Sequence, residues 1–145
     1  YSVASLMRAA EGFVKVHWYG SHKGYRAMAV QLVGRNLEQI CARGRERCSL
    51  QTVLSVGIQL INLLERLHNT NYIHGDLKPN NIAVGTGEAD SGVVYLIDLG
   101  DSREFASPES GIHVSYQDGQ RVISSLRYAS LNVLLGLAPT RRDDM

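Results

Sequence analysis

Two cysteines, Cys41 and Cys48, are all that the 145 residues contain, and they flank the charged stretch Arg43-Gly44-Arg45-Glu46-Arg47. With no second Cys or His pair at ligand spacing, neither a disulfide framework nor a structural metal site is expected. A reduced intracellular compartment, cytoplasmic or nuclear, fits this cysteine usage. Charge of one sign is lacking too. Fifteen basic against fourteen acidic residues leave a formal net charge of +1, so no field draws polyanions and nucleic acid is not an expected partner. No apolar run reaches membrane-spanning length and the first residues show no targeting pattern, so a membrane is not expected either. Internal repeats and low-complexity stretches are absent. The first residue is Tyr1 rather than Met, which points to a piece of a longer protein. Oligomeric state leaves no signature.

What is present suits a globular α+β unit: 44% of the residues are apolar, and the length allows one hydrophobic core. Residues 1–10 read as the end of a helix, with Val3, Leu6 and Met7 at helical spacing and Gly12 beyond it. Strands are expected over residues 13–19 and 25–32, joined through Gly20-Ser21-His22-Lys23-Gly24 as a hairpin. Asn36 is placed to cap a short helix carrying Leu37, Ile40 and Cys41, and Ser49 to cap a helix of about twenty residues. In that helix Val53, Leu54, Leu60, Ile61, Leu64 and Leu67 form an apolar stripe. Gly57 interrupts it at about 1 kcal/mol relative to alanine, which predicts a close helix contact there. Gly85 to Gly92 is a polar turn between two short strands. Residues 101–125 lose periodicity and read as a functional loop, and Tyr128 to Leu135 as one short helix.

The chemistry concentrates in His74-Gly75-Asp76-Leu77-Lys78-Pro79-Asn80-Asn81, followed after an apolar run by Asp98-Leu99-Gly100. Singly, these are ordinary residues: a core histidine, a turn carboxylate, loop asparagines. Together they set a carboxylate, an ammonium, an amide and a second carboxylate at the spacing that phosphoryl transfer from ATP requires, a reaction that depends on positioning and on neutralising charge. Asp76 can accept the proton of a substrate hydroxyl, Lys78 can reach the moving phosphate, and Asn81 and Asp98 offer the hard oxygens that suit Mg2+.

The pattern H-x-D-L-K-x-x-N with D-x-G resembles the catalytic half of the protein-kinase signature. With Arg127-Tyr128-Ala129-Ser130-Leu131-Asn132 and Arg141-Arg142-Asp143-Asp144 added, the chain resembles the casein kinase 1 group over nearly its whole length, Trp18, Gly20, Gly34 and Leu37-Glu38 included. Within the group, His74-Gly75-Asp76 and Ala138 to Arg142 look like vaccinia-related kinases. Ala83 and Arg127 to Ser130 look like tau-tubulin kinases or casein kinase 1 itself.

The resemblance implies a two-lobed kinase fold, partial here: residues 1–30 as the rear of the small lobe, 31–35 as the hinge and 36–145 as the upper part of the large lobe. It implies a Ser/Thr protein kinase that uses ATP and Mg2+ on a protein substrate. Asp76 would be the base, Lys78 the phosphate-contacting lysine, and Ser125 the loop hydroxyl that bridges to the base. Asn81 and Asp98 would be the metal ligands. Val30 would be the gatekeeper, Gln31 and Val33 the hinge residues whose backbone meets adenine, and Ala83 part of the floor below that ring. Arg127 would bind an anion near the substrate.

Some positions depart from the family. Gly75 replaces an arginine that elsewhere pairs with a phosphorylated loop, so dependence on loop phosphorylation is not expected. Leu99 replaces phenylalanine but stays apolar, and Ser124 replaces glycine. The Gly-rich loop, the strand lysine and its helix glutamate partner are not among the 145 residues; the resemblance would put the glutamate just before Tyr1 and the central helix after Met145. The segment alone is therefore expected to be inactive. A pseudokinase that binds nucleotide without transfer is the alternative, opposed by the joint presence of Asp76, Lys78, Asn81 and Asp98. A small-molecule kinase is a third reading, disfavoured by residues 127–144.

Overall fold

The computed structural model describes residues 10–43, 48–107, 109–114 and 125–145. The expected helical end over 1–10 lies almost wholly outside them, as do residues 44–47 of the charged connector, Ser124 and much of the 101–125 loop. The described part is a mixed α and β structure with three two-stranded antiparallel sheets and one long helix.

Strands β1 (Val16–His22) and β2 (Tyr25–Val30) form the first sheet. The connection is tighter than the expected five-residue loop, because Gly20 and Ser21 pair with Ala27 and Arg26 and His22 pairs with Tyr25. Only Lys23 and Gly24 turn, both with positive φ (49° and 81°). That geometry matches the right-handed twist of the flanking strands. Gly20 serves packing instead of turning: a Cβ there would sit 2.7 Å from the Trp18 ring.

Helix α1 (Leu37–Arg43) opens on a reciprocal cap, as expected of Asn36. Asn36 Oδ1 accepts the Gln39 N–H at 2.8 Å and Gln39 Oε1 accepts the Asn36 N–H at 3.2 Å. Helix α2 (Leu50–His68) starts at Ser49, whose hydroxyl accepts the Thr52 N–H at 3.1 Å, and it ends with Arg66 and His68 in its last turn. The Arg66 cation there complements the helix dipole.

Past Asn71, held at φ 65°, strand β3 (Tyr72–Ile73) enters the segment that carries Asp76. A turn of 3-10 helix over Pro79–Asn81 leads into β4 (Ile82–Val84), which pairs with β5 (Val94–Leu96) across the polar 85–92 turn. Strand β6 (Arg103–Glu104) returns to pair with β3. The expected helix near 128–135 is the short α3 (Leu131–Leu134), because Ser130 is its cap and accepts the Val133 N–H.

The core forms where α2 lies on β4 and β5: Phe13, Leu63, Leu64, Leu67, Ile82, Val94 and Leu96 are buried together. The apolar stripe of α2 divides here. Leu64 and Leu67 belong to the core, whereas Leu50, Val53, Leu54, Ile58 and Ile61 are each more than half exposed. No close contact meets Gly57 among the described residues, since a Cβ there would have none of their atoms within 4 Å. The close approach is at Gly12 instead, at φ 83°, where a Cβ would lie 2.3 Å from Leu63 Cδ2. Gly12 O accepts the Leu96 N–H at 2.8 Å, so residues 10–14 lie directly on the core that carries the site.

Candidate active site

The segment from His74 to Asn81 is built around the buried His74, whose ring serves both neighbours. Its Nε2 lies 3.1 Å from the Ile97 carbonyl and its Nδ1 accepts the Asp76 N–H at 3.3 Å. With Nδ1 accepting, Nε2 is the nitrogen that donates, to the Ile97 carbonyl. One side chain thus fixes the peptide of Asp76 and the strand end that delivers Asp98. Asn81 adds a second tie, its carbonyl accepting the Ile97 N–H at 2.9 Å.

Asp76 itself is 7% exposed. Lys78 Nζ donates to Asp76 Oδ2 in a close ion pair and to Ser125 Oγ at 3.2 Å. Ser125 reaches Asp76 Oδ1 through its N–H at 3.3 Å and its hydroxyl at 3.4 Å. Asn81 Nδ2 donates to the Asp76 carbonyl at 2.9 Å and to Oδ2 at 3.3 Å. Burial disfavours the Asp76 carboxylate, but the Lys78 hydrogen bond, the Ser125 N–H and the nearby charge outweigh it and hold its pKa below the usual range. Lys78 moves the opposite way: the bond to Asp76 raises its pKa against desolvation, aided by the charges of Asp98 and Asp101. Asp76 and Lys78 are therefore both charged at neutral pH.

Asp98 adopts the left-handed conformation (φ 61°) at the start of the Leu99–Asp101 turn, and its Oδ1 accepts the Gly100 N–H at 3.3 Å. Its other oxygen and Asn81 Oδ1 have no partner among the described residues. No cluster of three His, Cys, Asp or Glu side chains able to hold a metal occurs among those residues. Two oxygens still suit magnesium, which keeps several waters and leans on substrate phosphates.

Asp98 also borders a cavity of about 340 Å³ lined by Phe13, Val16, Met28, Val30, Gln31, Val33 and Leu96, among others, within the size range of small-molecule sites, about 300–1,000 Å³. Of the residues expected to meet a nucleotide, Val30, Gln31 and Val33 line it; Lys78 does not, and lies with Asp76. Ala83 is buried in β4, paired with Tyr95 and bridged to Asn36, outside that lining. The Gln31 carbonyl and the Val33 N–H have no hydrogen-bond partner among the described residues. Arg127 is exposed, its guanidinium 5.8 Å from the Tyr128 ring centre, and it joins neither the Asp76 group nor the cavity.

Gly75 has φ 82°, and a Cβ there would lie 2.8 Å from the Asp101 carbonyl. A side chain at 75 would be both strained and obstructed, so an arginine could not simply be restored.

Two residues that sequence reasoning left without a role complete the site. Asp144, 3% exposed, accepts the His74 N–H at 2.8 Å, the Gly75 N–H at 2.9 Å and a bond from His68 Nε2 at 2.8 Å. It anchors the segment that holds Asp76. Its neighbour Asp143 accepts the Ser130 hydroxyl at 2.6 Å and the Thr140 N–H at 2.7 Å. Burial opposes the Asp143 charge, yet Ser130, Thr140 and Arg142 together keep its pKa lowered.

A carboxylate with a depressed folded pKa stabilises the fold above its unfolded pKa, about 3.9, and that contribution is lost as pH falls through the folded value. Denaturant midpoints should therefore be level from pH 7 to 5 and drop below about pH 4. Asp143→Asn should make the acid drop shallower. An unchanged acid slope in that variant would remove Asp143 from the account.

Searched against models of known protein families, the chain matches none. Among the described residues no helix is long and apolar enough to cross a membrane.

Proposed function

We propose that these residues form the hinge, nucleotide cavity and catalytic loop of an ATP- and Mg2+-dependent protein kinase acting on Ser or Thr hydroxyls, with the casein kinase 1 group as the nearest resemblance. The observation that carries the reading is the Asp76 group. One carboxylate contacts Lys78, Ser125 and Asn81 together, and Asn81 ties that group to Ile97, which with Asp98 lines an apolar cavity.

The donor set fits the implied cofactors. Gln31 O and Val33 N–H are an acceptor and a donor without partners among the described residues, on two residues that line the cavity, and suit a purine edge. Asn81 Oδ1 and Asp98 would hold magnesium, which when bound neutralises phosphate charge. Asp76 orients the substrate hydroxyl and takes its proton as the oxygen attacks. Lys78, kept charged by Asp76, presents an ammonium where the transferring group passes. Ser125 ties the far end of the 101–125 loop to the base, so that substrate-side backbone and base share one position. A nucleotide-binding module without transfer would have no use for a lysine and a serine on the same buried carboxylate.

The test is transfer of a labelled γ-phosphoryl group from ATP to a serine- or threonine-containing protein by the complete protein. Label should appear on Ser or Thr and vanish when EDTA removes magnesium. Nucleotide binding without any transfer, across a broad panel of acceptors, would replace this reading by the pseudokinase.

A further inference from the structure

The polar contacts of Gln31 extend further than backbone recognition of a nucleotide requires. Its N–H donates to the Lys15 carbonyl at 2.8 Å, and its side-chain Oε1 accepts the Lys15 N–H at 3.3 Å. Both bonds fix it to the segment leading into β1. Its Nε2 points the other way and donates to the Tyr95 hydroxyl on β5 at 3.4 Å. That hydroxyl donates in turn to Asp90 Oδ2 at 3.3 Å, while Asp90 Oδ1 accepts the Gly87 N–H at 2.7 Å.

A phenol has one proton, and a carboxylate only accepts, so the direction of this chain is set: amide to phenol to carboxylate. The Tyr95 side chain comes from a strand packed on both sides, 8% exposed, and its hydroxyl is therefore delivered to a fixed point. Gln31 thus spans from the β1 side to the β4–β5 hairpin. The other end of the same extended segment is tied to that hairpin by Gly34 N–H to Val84 O at 2.7 Å and Val84 N–H to Arg35 O at 3.1 Å. Between these two anchorages lie the Gln31 carbonyl and the Val33 N–H.

We infer that Tyr95 is a positioning residue for nucleotide: its hydroxyl, held by Asp90, sets the Gln31 amide and through it the segment whose Gln31 and Val33 line the cavity. This rests on the nucleotide-binding reading above. Neither Tyr95 nor Asp90 lines the cavity or touches Asp76, so their loss acts on affinity and leaves the chemical step alone.

Tyr95→Phe removes the hydroxyl and keeps the ring. In the complete protein it should weaken Mg-ATP binding, measured by calorimetry, about fivefold, the loss of one neutral hydrogen bond, with kcat at saturating ATP unchanged. Asp90→Ala should give the same loss, and the double variant no more than either single, because both break one chain. Asp90→Asn has one oxygen for two donors, the Gly87 N–H and the Tyr95 hydroxyl, and should recover only part of the affinity. A role in stability alone would lower the melting temperature with Kd and KM for ATP unmoved, and that result overturns the inference. So would affinities within about twofold of the parent in both single variants, or additive losses in the double. If the parent protein fails to bind Mg-ATP, the nucleotide reading itself falls and this inference with it; if the parent binds and the variants match it, only the role of Tyr95 is refuted.

Discussion

Asp76→Asn should lower phosphoryl transfer by a factor on the order of 10² to 10⁴, the range that a positioned general base contributes, while Mg-ATP affinity stays near that of the parent. The substitution preserves shape: the single side-chain oxygen can still accept the Ser125 N–H, and the Asn81 amide keeps its bond to the backbone carbonyl of residue 76. It removes the negative charge that receives the hydroxyl proton in the proposed reaction, and with it the ion-pair partner of Lys78. Asn81 Oδ1, Asp98 and the backbone of Gln31 and Val33 are left untouched, which is why binding and transfer should separate. The check is steady-state phosphorylation of an acceptor protein alongside calorimetric Mg-ATP binding for parent and variant. Transfer at near parental rate would show that Asp76 is not the base. A parallel fall in affinity would mean that Asp76 organises the nucleotide site as well.

The site was legible in the sequence because its central members are close along the chain. Asp76, Lys78 and Asn81 span six residues, so the spacing alone sets a carboxylate, an ammonium and an amide on one tight loop, and Asp98 follows from the apolar strand that ends beside it. Helix starts were legible for the same reason: Asn36 and Ser49 cap within three residues of themselves. Hairpin length was not, since pairing of Gly20 and Ser21 is decided by the twist of the whole ribbon and by Trp18 needing a bare backbone to lie on. The interruption at Gly57 read as a contact because a glycine in a helix usually has a packing reason, and here that face has no neighbour among the described residues. The role of Asp144 was hidden by distance. Its partners His74 and Gly75 lie 70 and 69 residues away, and two adjacent aspartates behind two arginines look locally like a solvated turn.

That distance makes Asp144 the position where the largest structural effect is expected. Its carboxylate is nearly inaccessible and divides its oxygens: Oδ1 takes the Gly75 N–H, and Oδ2 takes the His74 N–H and His68. Asp144→Ala leaves the buried His74 N–H and the half-buried Gly75 N–H without an acceptor. At about 1–3 kcal/mol for each unsatisfied group, the fold should lose on the order of 3 kcal/mol, a drop in melting temperature of roughly 10 °C for a domain of this size. Asparagine is not a benign replacement. With one oxygen it can satisfy Gly75 or His74, and its amide then presents a donor to the other N–H. Asp144→Asn should therefore recover less than half of the loss. Glutamate should fare no better, because the extra methylene has no room in a site this tightly closed. Thermal melts of the three variants, with hydrogen exchange at Gly75 and Asp76, would measure both the stability and the freed loop. Parental stability and slow exchange in Asp144→Ala would mean that the loop carrying Asp76 holds its own shape, and that the 141–144 turn merely rests against it.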